Sequence, residues 1–131
     1  GADAGNVFML SYLDSIVALC AENNIDLILT MAPSTFDDAG KYRFLSEYAS
    51  EKGITYIDFN EKTVYEDSAL EFFVDCHDDA HCNLNGALKI TDYIGNIIYE
   101  RIGKSTGDVS EWESFEAAYR KYLDETVVES N

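Results

Sequence analysis

The sequence predicts an α/β fold built on a strand–helix–strand unit. Three observations carry this expectation. Asp26–Met31 (DLILTM) is a nearly all-apolar run, the pattern of a parallel strand buried on both faces. Ala39–Lys52 follows with apolar residues at helical spacing. Ile54–Phe59 (ITYIDF) is a second apolar run, bounded by Gly53 and Asn60. Tight connections join the three, so the crossover is a right-handed βαβ unit and its strands are parallel.

The remaining elements follow in order. Val7–Glu22 reads as a helix, because Leu10, Leu13, Ile16, Val17 and Cys20 recur at three- and four-residue spacing. Asn6 is suited to cap its start, and Asn23-Asn24 ends it. Ala32-Pro33-Ser34 breaks the first strand. In the second helix Tyr42, Leu45, Tyr48 and Ala49 share one face, and Gly53 is the C-cap residue. Asn60–Ala80 reads as irregular and acidic, with an aromatic pair at Phe72-Phe73. Leu84–Ile102 is a third helix, with a stripe of Leu84, Ala87, Leu88, Thr91, Ile94, Ile98 and Ile102, stopped by Gly103. Ser110-Glu111-Trp112-Glu113 is a capping-box pattern that opens a last helix to about Val127, with Phe115, Ala118, Tyr119 and Tyr122 on one face. No repeat, low-complexity tract or linker interrupts the chain. Residues 1–131 therefore read as a single domain, with its core at about 7–102 and a helical extension at about 108–127.

Composition excludes several function classes. With 47% hydrophobic residues in 131, the chain can bury a real core, and 26% charged residues is not a disordered composition. The longest apolar runs, such as Leu27–Leu29 and Ile97–Tyr99, are far too short to span a membrane. Gly1–Asn6 is small and polar, without the basic region of a signal peptide. A net charge of −16 repels nucleic acid and anionic lipid, and the nine Lys and Arg form no basic stripe. Cys20 sits on a helix's apolar face, whereas Cys76 and Cys82 are close enough in sequence for a disulfide. An odd cysteine total leaves the redox compartment open.

The strand count conflicts with the helices. Two strands leave both sheet edges unpaired and bury little, while the helices are those of a larger α/β domain. Either the chain is cut from a longer protein, which its lack of an initial Met suits, or a partner chain supplies strands. The first is simpler. The exposed edge also makes a homodimer an expectation.

The chemistry concentrates in Asp75–Thr91 (DCHDDAHCNLNGALKIT). Within Asp75–Cys82 fall three Asp, two Cys and the chain's only two histidines, His77 and His81. Loops next to parallel strands are where α/β proteins place their sites. Three readings compete. One is a hydrolytic pair, with His81 as general base and Asp78 fixing its tautomer. Another is a metal site using His77, His81 and nearby Asp or Cys, although the spacing matches no closed zinc motif. The third is a solvated acidic loop whose Asp residues cap a helix.

A resemblance bears on the choice. Asp78-Asp79-Ala80-His81-Cys82-Asn83, then Asn85-Gly86-Ala87 and Lys89-Ile90-Thr91, resembles the closing block of the SGNH/GDSL ester hydrolases. The usual form there is Asp-x-x-His-Leu-Asn, then Gly-Ala, then a helix. Cys82 replaces the common Leu. The helix around Tyr12–Cys20, the DLILTMAPS segment and the ITYIDFN segment match that family's last βαβ region in order, so the resemblance covers about Val7 to Ile102. It implies a three-layer α/β/α, flavodoxin-like (SGNH) architecture, present only as its C-terminal fragment: a βαβ unit with flanking helices.

In that family a serine attacks an ester carbonyl, the histidine is its base, and the aspartate orients the histidine. Only the Asp78 and His81 roles carry over. No Gly-Asp-Ser motif is present. Ser11 and Ser15 lie within a helix, and Ser34 follows Pro33 in a turn, where capping through Ser34-Thr35-Phe36-Asp37-Asp38 suits it better than nucleophilic attack. Asn83, His77 and Asp75 are supporting candidates: Asn83 for backbone groups at the helix start, His77 as an exposed neighbour, Asp75 as an alternative orienting acid. Gly86 and Ala87 suggest close helix–strand packing. The implied function is hydrolysis or transfer of an O-acyl group, acetyl on a carbohydrate or similar small ester. No cofactor, metal or nucleic acid is expected, the chain alone would be inactive, and the family's setting leans extracytoplasmic. The rival reading is a non-catalytic SGNH-like module for carbohydrate binding or assembly.

Overall fold

A computed structural model describes residues 4–36, 39–103 and 110–126. It is a mixed α/β structure, mostly helical: α1 (Ala4–Glu22), β1 (Ile28–Met31), α2 (Ala39–Lys52), β2 (Thr55–Asp58), α3 (Lys62–Asp67), α4 (Phe72–Asp75), α5 (Leu84–Ile102) and α6 (Ser110–Thr126). The chain divides into two compact units, Gly1–Val64 and Tyr65–Asn131, with the boundary inside α3.

The first unit contains the expected βαβ arrangement. β1 and β2 pair in parallel, with Ile28 opposite Thr55, Leu29 opposite Tyr56, Thr30 opposite Ile57 and Met31 opposite Asp58. Among the described residues the sheet has these two strands only. Both are shorter than the apolar runs that encode them, because pairing ends where the partner strand ends. The helices before each strand end in the same way. Asn24, at φ 55°, lets Ile25 N–H donate to the Cys20 carbonyl (2.8 Å). Gly53, at φ 68°, lets Ile54 N–H donate to the Ala49 carbonyl (3.0 Å). Each is a Schellman cap, which turns a helix directly into the next segment. α1 begins at Ala4, so Asn6 lies inside its first turn instead of capping it; Ala4 is itself a strong helix former.

α2 packs on β2, with Tyr48, Ala49 and Ile57 buried. Asp14 of α1 accepts from Tyr48 Oη (2.9 Å) and pairs with Lys52 Nζ (2.8 Å). The hydrogen bond from the Lys52 ammonium, more than that from Tyr48, holds the Asp14 carboxyl below its usual range. At the ends of the strands Asn60 ties the two exits together. Its Oδ1 accepts from Ser34 N–H (2.7 Å), and its Nδ2 donates to the Ala32 carbonyl (3.0 Å) and to Asp58 Oδ1 (2.8 Å). Ser34 Oγ accepts from Phe36 N–H (3.1 Å), a local turn; Asp37 and Asp38 lie outside the described residues. Cys20 is half-buried.

The stretch expected to be irregular, Asn60–Ala80, instead holds two short helices. Glu61 supplies the start of α3: its Oε2 accepts from Val64 N–H (3.1 Å) and its Oε1 from Thr63 Oγ1 (3.3 Å). α3 ends in a third Schellman cap, with Ala69 at φ 55° and Leu70 N–H donating to the Tyr65 carbonyl (3.2 Å). Leu70 is buried behind that turn. In the second unit α4 packs against α5. The stripe expected on α5 is half-buried at Leu84, Leu88 and Ile94, while Ala87, Thr91, Ile98 and Ile102 are exposed. α6 runs as expected to Thr126, and Val127 lies outside the described residues. Its aromatic face, Trp112, Phe115, Tyr119 and Tyr122, is exposed. Among the described residues no helix is long and apolar enough to cross a membrane.

Candidate active site

Asp75–Asn83 joins α4 to α5 as a small hairpin. Asn83 N–H donates to the Asp75 carbonyl (2.9 Å), and His77 N–H donates to the His81 carbonyl (2.8 Å). Between these two bonds Cys76 and Cys82 stand opposite each other as an antiparallel pair. The tip is therefore His77–His81, and it projects from a fixed base.

The base is fixed by buried polar contacts. Asp75 is fully buried; its Oδ2 accepts from Glu71 N–H (2.7 Å) at the start of α4 and from Lys89 Nζ (2.8 Å) on α5. One carboxylate thus caps α4 and ties it to α5. The Tyr65 hydroxyl accepts from Phe72 N–H (2.7 Å), satisfying a second donor of that first turn. Asn83 is the N-cap of α5: its Oδ1 accepts from Gly86 N–H (3.2 Å), and its Nδ2 donates to the Val74 carbonyl (2.6 Å). Gly86 is buried, and a Cβ there would collide with the Asp75 carbonyl oxygen. Its smallness serves the approach of α5 to the end of α4, not the helix–strand packing that the sequence suggested.

At the tip Asp78 and His81 form a contact set of their own. Asp78 Oδ1 accepts from the backbone N–H groups of Ala80 (2.9 Å) and His81 (3.0 Å). Both carboxylate oxygens also lie within hydrogen-bonding distance of His81 Nδ1, at 2.9 and 3.0 Å. The backbone bond from Ala80, then the His81 side chain, hold the Asp78 carboxyl below its usual range. An ionised carboxylate on Nδ1 fixes a neutral imidazole as the Nδ1–H tautomer. That leaves Nε2 as the acceptor, on a side chain that is 77% exposed. Such a ring can take a proton from a hydroxyl, and Asp78 can stabilise the imidazolium that results.

Of the candidates read from the sequence, Asp78 and His81 meet side chain to side chain. Asp75 is committed to Glu71 and Lys89, Asn83 to the start of α5, and His77 is exposed with its backbone N–H on His81. Lys89 was missed as part of this architecture: it lies off the apolar stripe of α5, where a Lys reads as a solvated charge, and no local sequence signal pairs it with Asp75. Among the described residues no group of three His, Cys, Asp or Glu side chains is placed to hold a metal ion. Comparison of the chain with known protein families, curated proteins and solved structures gave no match.

Proposed function

We propose that this chain supplies the Asp–His pair of a serine ester hydrolase or O-acyltransferase of SGNH type, acting on an acetyl ester of a carbohydrate or similar small molecule. The observation that carries the reading is the approach of both Asp78 oxygens to His81 Nδ1 on an exposed ring. A serine from outside this chain would attack the acyl carbon while its hydroxyl proton passes to His81 Nε2. Asp78 would hold the imidazolium until the proton is returned to the departing alcohol. Water, or an acceptor hydroxyl in the transferase case, would then release the acyl group with His81 as base again. The wider architecture in this reading is the three-layer, flavodoxin-like one, in which the β1–β2 pair is part of a longer parallel sheet.

A second reading has an observation of its own. Asp78 already caps the loop through the Ala80 and His81 N–H groups, which is reason enough for its presence in a non-catalytic SGNH-like module for carbohydrate binding or assembly. One assay separates the two. Joined to the segment that carries the serine, the protein hydrolyses p-nitrophenyl acetate, and His81→Ala lowers kcat/KM by roughly a thousandfold or more. Equal rates for the two proteins would overturn the hydrolase reading.

A further inference from the structure

The proposed chemistry leaves two side chains at the base of the hairpin unused. Cys76 and Cys82 oppose each other, and the bonds on either side belong to Asp75–Asn83 and His77–His81. This makes theirs the non-hydrogen-bonded position of an antiparallel pair, where opposite Cα atoms come within about 4.5 Å. A disulfide spans Cα separations of that size. The two sulfurs lie 3.7 Å apart as free thiols. Side-chain rotation alone can close such a gap, because the backbone on both sides is already held by Asp75, Asn83 and Gly86.

We propose that Cys76 and Cys82 are a redox pair whose oxidation to a disulfide locks the hairpin that presents Asp78 and His81. The reaction is thiol–disulfide exchange with a small disulfide such as oxidised glutathione. The Cys76 thiolate attacks one glutathione sulfur, giving a mixed disulfide and releasing one glutathione thiolate. Cys82 then loses its proton and attacks the Cys76 sulfur, and the second glutathione leaves as thiolate. Two protein thiols are oxidised and one glutathione disulfide is reduced to two glutathiones. Burial, more than the neighbouring Cys76, pushes the Cys82 thiol up to about 11. Its thiolate is therefore scarce at neutral pH. The same high value makes Cys82 a poor leaving group, so the closed ring is slow to reopen by attack at Cys76. Cys20 lies in the first unit and takes no part. The inference does not depend on the hydrolase reading, since the lock acts on the hairpin whatever His81 does.

The test uses the 131-residue chain equilibrated in glutathione buffers of stepped ratio, alkylated with iodoacetamide and digested with trypsin. The peptide Thr63–Lys89 holds Cys76 and Cys82 together, and Cys20 lies elsewhere. In oxidising buffer this peptide is expected unalkylated and two hydrogens lighter, with Cys20 alkylated. Amide exchange from His77 to Asn83 is expected to slow on the order of fiftyfold on oxidation, the loop-closure entropy of a seven-residue ring expressed as an equilibrium constant. Cys76→Ser is expected to leave Cys82 alkylated and to abolish the slowing. Alkylation of both cysteines at every ratio, or bridges to Cys20 or to a second chain, would overturn the pairing. A ring that forms without slowing exchange would overturn the lock.

Discussion

Replacing Lys89 by Met isolates the polar contact that fixes the base of the hairpin. Met keeps the length and apolar stem of the side chain and removes only the ammonium. Asp75 is then left buried, with Oδ2 holding the Glu71 N–H alone and Oδ1 without a hydrogen-bond partner, as it already is. Removing one partner of a buried ion pair costs about 3–5 kcal/mol, because the remaining charge is uncompensated. Lys89 is 32% exposed, so water reaches the vacated space in part and the lower end applies, about 3 kcal/mol. With a urea slope of about 2 kcal/mol/M, the unfolding midpoint falls by about 1.5 M. Circular dichroism read through a urea titration measures this, and an unchanged slope shows that stability alone moved. Adding Asp75→Asn to Lys89→Met is expected to recover part of the loss, since the buried charge is then gone while the amide oxygen can still accept from Glu71 N–H. A loss below about 0.5 kcal/mol for Lys89→Met would refute the reasoning, because that is the worth of an exposed pair.

Three further outcomes follow from the same geometry. Gly86→Ala drives a methyl group into the Asp75 carbonyl oxygen, a backbone atom that cannot swing aside, so it is expected to destabilise by about 1–3 kcal/mol in the same titration. Ala69→Gly relieves a left-handed residue at the third Schellman cap and is expected to stabilise by about 0.5–1 kcal/mol; a loss of stability would contradict the cap assignment. The folded Asp78 carboxyl titrates below the ordinary value of 3.8, so its support of the loop is fully present above that pH and is lost as pH falls through the lower folded value. Amide resonances of Ala80 and His81 followed by NMR should report a midpoint below 3.8, and one at or above it would contradict the contact.

What could be read from the sequence was set by length and local periodicity. α2, α5 and α6 are long enough for a repeating apolar face to show, and the runs around β1 and β2 are apolar enough to mark strands without showing where pairing stops. α3 and α4 escaped because six and four residues are too few for periodicity, and their stability comes from single polar groups: Glu61 for one, Asp75 from within the other. Asp78 and His81 were legible because their contact is local, three residues apart on one turn. The Asp75–Lys89 bridge was not, since it depends on how α4 meets α5. Likewise, the aromatic pattern of α6 marks a face but does not say that the face stays exposed.

In the proposed function His81, oriented by Asp78, activates a serine. The most direct measure of this activation is the rate at which a fluorophosphonate probe labels that serine in a polypeptide containing both this chain and the serine-bearing segment. One labelled serine is expected, with labelling slowed roughly a thousandfold by His81→Ala and restored by no substitution at His77. Labelling at the same rate with and without the His81 imidazole would contradict it.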